Sequence, residues 1–245
     1  RLLEGSPAGR REFLDWGVFH VKHPFLDAWR RTRRAVKHRN ALLRRGRIVP
    51  NEIAVWEQEL ALWGEQMDAL RQAWFNEFLP VFNETLKTLL PLPGLTLRYA
   101  RGWDRQRSLA EVLHDSRNTD LQMGFTQQGP QRADLRIRLN KQPAIEVLSR
   151  GQQKLVVSAL KLAQGRLLES TAQRHCIYLI DDLPAELDEH HRRQFCTLLE
   201  EMQCQAFITS VEPTALSDVW QPSTAVEMFH VKHSAQGLSQ CQPDG

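Results

Sequence analysis

The chain has 245 residues, 42% hydrophobic and 25% charged, the balance of an ordinary folded protein rather than a disordered one. No apolar run approaches the roughly 20 residues that span a bilayer, and the basic first stretch lacks the apolar centre of a secretion signal, so no membrane role is expected and a cytoplasmic location is. Net charge is only +3, yet residues 1–47 hold thirteen Lys or Arg against four Asp or Glu, a local +9 that leaves −6 for the remainder. Such asymmetry favours a polyanion on one part of the molecule, although a solvated helix face would show the same composition.

Arg1 is not a translation start and Met67 is the first methionine, so the chain is expected to be cut from a longer protein. Residues 1–24 form a leading segment. From Phe25 the positions Phe25, Trp29, Thr32, Val36, Arg39 and Leu43 step by four and three, and Ile53, Trp56, Leu60, Trp63, Met67, Leu70 and Trp74 repeat the rhythm. That spacing gives each helix one seam along its length. With Gly46, Pro50 and Asn51 as turn signals, residues 25–93 read as an antiparallel helical hairpin, an arm or lid. Pro80, Pro91 and Pro93 are expected to end it.

Residues 94–147 read as a mixed strand and helix segment: strands at Leu95–Tyr99, Leu121–Phe125 and Leu135–Leu139, and a short helix at Leu109–His114. Asn140–Pro143 can turn the third strand back through Ala144–Val147. Arg136 and Arg138 share the exposed face of their strand. Residues 148–233 alternate helix and strand. A patterned helix carries Leu155, Val156, Ala159, Leu160, Ala163 and Leu167. Ile177–Ile180 is apolar throughout, as in a parallel strand buried on both faces, and a helix over Glu189–Met202, a strand at Ala206–Thr209 and a short helix after Pro213 follow. Residues 234–245 read as a flexible tail. The cysteines, Cys176, Cys196, Cys204 and Cys241, show no C-x-x-C pairing, and neither a disulfide framework nor a zinc site is expected.

One pentapeptide occurs twice, as Phe19–His23 and as Phe229–His233. Its histidines could ligate a metal, but no third ligand is evident. Codons offer another explanation: Met228–His233 can be written ATG TTT CAC GTG AAA CAT, which is its own reverse complement. The repeat would then reflect a palindromic protein-binding site in the gene.

Three pieces carry chemistry. Leu148-Ser149-Arg150-Gly151-Gln152-Gln153-Lys154 opens an apolar helix. Ser149 can cap that helix, and Gly151 omits the Cβ that would obstruct a phosphate approaching the free N–H groups. Cys176–Asp182 is a strand ending in two carboxylates. Asp181 would hold Mg²⁺ through water and Asp182 would polarise an attacking water, since phosphoryl transfer depends on positioning and charge compensation. Glu186-Leu187-Asp188 follows. The plainer alternatives are a cap and a loop start, and for Asp188 an N-cap of the helix from Glu189. A Mg²⁺-dependent nuclease would need further acidic ligands. No G-x-x-x-x-G-K-[ST] phosphate loop occurs.

In this order the pieces resemble the signature loop, Walker B strand and D-loop of an ABC-type ATPase head. Pro7-Ala8-Gly9-Arg10-Arg11-Glu12-Phe13-Leu14-Asp15 looks like the "P-x-x-R-R-x-F-L-D" signature of the bacterial DNA replication and repair family RecF, and Gly129–Leu135 like its "G-P-H-R-x-D-L" segment. Gln131 replaces the usual His, Ala185 stands where Ser is common, and Thr209-Ser210-Val211 takes the place of a switch histidine.

The resemblance implies an α/β ABC-ATPase-like head, present as its second lobe and Walker B core strands, with the hairpin inserted. A further N-terminal lobe with the phosphate loop should cover the core and sheet edge left open here. Two heads would sandwich ATP, so that Ser149, Arg150, Gly151 and Gln152 face a partner's nucleotide while Asp181 and Asp182 serve their own. Glu186 and Asp188 would lie in the D-loop.

The family binds double-stranded or gapped DNA in recombinational repair, the SOS response and replication-fork maintenance, helping to load recombinase with RecO and RecR partners. Its ATPase is weak and DNA-stimulated, and is not expected of this fragment alone. The candidate phosphate contacts are Arg10, Arg11 and the limb Arg30–Arg47, chiefly Arg30, Arg31, Arg33, Arg34, Lys37, Arg44 and Arg45. The rival expectation is a non-enzymatic basic binding module on an α/β scaffold.

Overall fold

A computed structural model describes residues 2–46, 50–233 and 239–243. Arg1, Arg47 and most of the expected tail lie outside them.

Helix α1 (Pro7–Val21) starts with Pro at a first-turn position, where a missing N–H costs nothing. It buries Phe13, Leu14, Gly17 and Val18. A Cβ at Gly17 would run into the Trp74 ring, so this glycine permits the close approach of α1 to α3. Helices α2 (Phe25–Leu43) and α3 (Pro50–Leu89) form the hairpin. Their contacts run in opposite order: Arg31 lies over Trp63, His38 stacks on Trp56, and Arg39 pairs with Glu57. Phe25, Thr32, Arg39 and Leu43 are buried as the seam predicts, and so are Ile53, Leu60, Met67 and Trp74. The seam tryptophans Trp29, Trp56 and Trp63 are half-buried.

Pro80 does not end the helix. It lies inside the 40-residue α3, which is about 60 Å long by helical rise. The apolar rhythm explains this, because Phe78, Phe82, Leu86 and Leu89 continue the buried face past the proline. Pro80 itself is exposed, and the helix continues through the lost backbone bond.

Strand β1 (Leu95–Ala100) pairs antiparallel with β2 (Asp134–Leu139), and β2 with the short β3 (Gln142–Pro143). Leu97, Tyr99, Leu135 and Ile137 face inward. Between the strands, α4 (Leu109–Asp115) opens with a capping box made by Ser108 and Glu111. The expected strand at Leu121–Phe125 is instead the end of helix α5 (Arg117–Met123), closed by left-handed Gly124. The cause is Asp120. It is fully buried, binds Arg39 Nη1 at 2.6 Å and accepts the Ser116 hydroxyl and the Gln127 N–H, a set of partners that a helical turn brings together. The expected strand at Ala144–Val147 is also a helical turn, α6 (Ala144–Val147). Asn140 and Lys141, both left-handed, complete the reversal early, and Pro143 ends the ladder.

Helix α7 (Arg150–Ala172) buries all six of the apolar residues that patterned it. Strand β4 (Tyr178–Ile180) pairs parallel with β5 (Ala206–Ile208), linked through α8 (Leu183–Glu186) and α9 (Glu189–Glu201). Contrary to expectation, β4 is not buried on both faces: Leu179 is 80% exposed and Phe207 54%. The other face of the pair packs on the core through Tyr178, Ile180, Ala206 and Ile208.

The tail forms part of a hairpin, because β6 (Phe229–His233) pairs with β7 (Ser239–Pro243). The repeated pentapeptide therefore differs between its copies: the first ends helix α1 at Val21 and leaves it at Lys22, and the second is a strand throughout. Among the described residues no group of three or more His, Cys, Asp or Glu is gathered as a metal-ligand set.

Candidate nucleotide and nucleic-acid sites

Ser149 is the N-cap of α7. Its hydroxyl accepts the Gln152 N–H at 3.3 Å, while Gln152 Oε1 accepts the Ser149 N–H at 3.0 Å. The box leaves the N–H groups of Arg150 and Gly151 without partners among the described residues, at the positive end of a 23-residue helix. Ser149, Arg150 and Gly151 are exposed. A Cβ built on Gly151 would meet nothing within 4 Å, so the chain itself does not require glycine here, at a cost of up to about 1 kcal/mol relative to Ala.

Strand β4 delivers Asp181 and Asp182 to a junction with the end of β5. Thr209 N–H donates to the Ile180 carbonyl at 2.9 Å, the Thr209 hydroxyl donates to Asp181 Oδ1 at 2.7 Å, and Asp182 N–H donates to Thr209 Oγ1 at 2.8 Å. One hydroxyl thereby fixes both aspartates. Asp182 is left-handed, a conformation that Asp tolerates better than most residues. Thr209, which stands in place of a switch histidine in the sequence, thus takes a structural part in the aspartate junction.

Asp188 caps α9: Oδ1 accepts the His191 N–H at 3.0 Å, and Oδ2 lies 2.7 Å from His191 Nδ1. These bonds hold its carboxyl below the usual aspartate value, the backbone N–H most strongly. Glu186 pairs with Lys154 of α7 at 2.9 Å, the only polar link between the helix start and the aspartate segment among the described residues.

The basic candidates divide. Arg30, Arg31, Arg33, Arg34, Lys37, Arg44 and Arg45 are exposed. Arg31 pairs with Asp27 and Arg45 with Glu52, and the guanidiniums of Arg31, Arg33 and Arg34 lie over Trp63, Trp29 and Trp56. Arg39, within the same limb, is 0% exposed and binds Glu57, Asp120, Thr126 and the Leu113 carbonyl, so it is not available to a phosphate.

Arg10 and Arg11 are half-buried and bound to other parts of the chain. Arg10 bridges Asp134 at 2.7 and 3.2 Å and donates to the carbonyls of Leu2 and Gly5. Arg11 donates to the Ala133 carbonyl at 2.9 Å, and burial pushes it below the ordinary arginine value, with Arg71 adding to the shift. Buried Arg71, which sequence reasoning missed, forks onto Asp15 and donates to the Pro130 carbonyl at 2.8 Å. These three arginines tie Pro7–Asp15 to Gly129–Leu135. The two segments stand out in the sequence because they are bolted to each other. Arg71 lay hidden in the helical rhythm, seven residues after Gly64 and three before Trp74.

Residues 35–237 match the family described as RecF/RecN/SMC N terminal domain. The chain is 68% identical over 233 residues to the DNA replication and repair protein RecF of Chromohalobacter salexigens, covering 95% of this chain and 64% of that protein. It is 54% identical to the RecF of Pseudomonas aeruginosa strain LESB58, covering 95% and 63%; it therefore spans just under two thirds of the length of these relatives. The solved structure described as the recombination mediator protein RecF-ATP in the RecFOR pathway superposes with a TM-score of 0.78 at 21% identity, covering 97% of this chain and 63% of that one. At that identity the likeness establishes the fold, a partial ABC-type ATPase head with an inserted helical hairpin. On the family match and these identities, the chain belongs to the RecF family.

Proposed function

We propose that this chain is the larger part of a RecF-like, ATP-dependent DNA-binding protein of recombinational repair and replication-fork maintenance. The observation that carries the reading is the exposed start of α7, with two unpartnered N–H groups and a glycine that nothing in the chain requires. Such a helix start suits a phosphate delivered from outside the subunit. Ser149, Arg150, Gly151 and Gln152 then bind the nucleotide held by a partner copy, and ATP joins two heads.

Asp181 and Asp182 act on the subunit's own nucleotide. Asp181 is exposed and keeps Oδ2 free while Oδ1 holds Thr209. A single such carboxylate fits Mg²⁺, which takes one or two carboxylates and fills its other positions with phosphate and water. Bound there, the ion would offset charge on the transferring phosphoryl group. Asp182 orients the attacking water, and Thr209 ties the Asp181 carboxylate to the Asp182 backbone N–H. Glu186, joined to Lys154, and Asp188 lie on the stretch that leads from the aspartates toward the partner. The apolar face of β4 and β5 supports a further lobe that brings the phosphate loop, since Leu179, Phe207 and Ile177 would otherwise remain in water. Duplex or gapped DNA, homodimerisation on ATP, and RecO- and RecR-like mediators complete the proposal.

The test is DNA binding by the full-length protein with and without ATP across a salt series. Salt-sensitive binding that ATP tightens is expected. Binding indifferent to ATP would favour the non-enzymatic basic module.

A further inference from the structure

The outer face of the β1–β2 sheet carries an arrangement that a sheet standing alone would avoid. Arg98 and Arg136 sit directly opposite each other in the register, a like-charge pair that costs stability. Arg138 follows two residues along the same face, roughly 7 Å away by strand rise. Arg98, Arg136 and Arg138 are exposed, and none of their guanidiniums has an ion pair or hydrogen bond among the described residues.

Two concavities open beside them. One, of about 560 Å³, is lined by Arg98, Arg101, Trp103, Arg105, Arg132 and Arg136 among others. The second, of about 430 Å³, shares Arg98, Tyr99 and Arg105 with it. The neighbouring carboxylates are already engaged: Asp134 by Arg10, and Asp68 by the Tyr99 hydroxyl and by Arg101 at 3.2 Å. Asp104 is exposed and accepts the Gln106 N–H. Arg105 donates to the Tyr99 carbonyl, and Arg132 lies over Phe125, so each keeps its charge uncompensated. Trp103 is 7% exposed, and its Nε1–H has no partner.

We propose that this arginine face is a phosphate-contacting surface for the backbone of duplex DNA, separate from the hairpin limb. The proposal rests on the DNA-binding reading above. Guanidiniums spread along two strands address successive phosphates, and their forks suit phosphate oxygens. No exposed aromatic ring or free carboxylate among the lining residues is placed to read a base or a ribose. Contact should therefore be independent of sequence.

The experiment measures binding of a fluorescently labelled gapped duplex to the full-length protein at several salt concentrations. Arg98→Gln/Arg136→Gln is expected to weaken binding on the order of tenfold and to reduce the slope of log affinity against log salt by about 2. The loss should be equal on two unrelated sequences, and Arg136→Lys should keep the slope. The double variant should melt at or above the wild-type temperature, because a repulsion has been removed. A lower melting temperature would mean that the pair serves the sheet itself and would overturn the premise. Unchanged affinity and slope, with both lost in Arg30→Gln/Arg34→Gln, would overturn the proposal and leave DNA on the hairpin alone. Wild-type protein that binds no duplex would overturn the underlying reading as well. Arginine-dependent binding of polyglutamate with no change in DNA affinity would overturn it in favour of an acidic protein partner.

Discussion

The β1–β2 and β4–β5 sheets make opposite use of short strands. In β1 and β2, inward Leu97, Tyr99, Leu135 and Ile137 are all less than 10% exposed, and arginines take the outer face. In β4 and β5 the inward residues are only half-buried, and outward Leu179 and Phe207 are 80% and 54% exposed. The first sheet is finished by this chain. The second leaves an apolar face exposed, and it is where the aspartates and Thr209 sit. Buried arginine ties lie outside both sheets, on the hairpin helices, through Arg39 and Arg71. The β4–β5 region has hydroxyl and capping bonds at its surface.

Substitutions should separate the two regions. The largest loss of function is expected from the second: Ser149→Arg and Asp182→Asn in the full-length protein should each reduce ATP turnover by about a hundredfold or more while leaving the melting temperature near that of wild type. Arg71→Ala should do the reverse. Leaving Asp15 uncompensated beside a buried cavity costs about 3–5 kcal/mol, visible in chemical denaturation, and wild-type stability in that variant would refute the bolted-motif account.

Thr209→Val should lower turnover by roughly tenfold, or about 1.4 kcal/mol of barrier, with Thr209→Ser restoring it. Failure of Ser to rescue would point to the methyl group rather than the hydroxyl. Asp188→Ala, the smallest effect, should cost about 1 kcal/mol as a lost cap. Because the folded carboxyl titrates below the usual aspartate value, that contribution is present above the unfolded pKa and is lost as pH falls through the folded one. The difference between variant and wild type should shrink in acid.

Much of this was legible from spacing alone. The seam of α2 and α3, the alternation of β1 and β2, and the apolar face of α7 all follow from local periodicity. What was not legible required partners distant in sequence. Asp120 makes its segment helical by reaching Arg39, 81 residues away, and Pro80 is tolerated because the core continues on both sides of it. Arg10 and Arg11 read as surface charge, yet their partners lie more than 120 residues downstream. The pentapeptide at Phe19 and Phe229 is the clearest instance, since its first three residues are helical in one copy and extended in the other. With no common structure to preserve, the codon explanation gains weight, and codons that break the palindrome in both copies would dispose of it.

Whether the Ser149 turn serves a partner's nucleotide while Asp182 serves its own can be read by mixing two inactive full-length proteins, Ser149→Arg and Asp182→Asn. In a mixed dimer one composite site is intact, so an equal mixture should recover about a quarter of wild-type ATP turnover, the statistical share for a two-fold dimer. A mixture no more active than either variant alone would contradict the shared site.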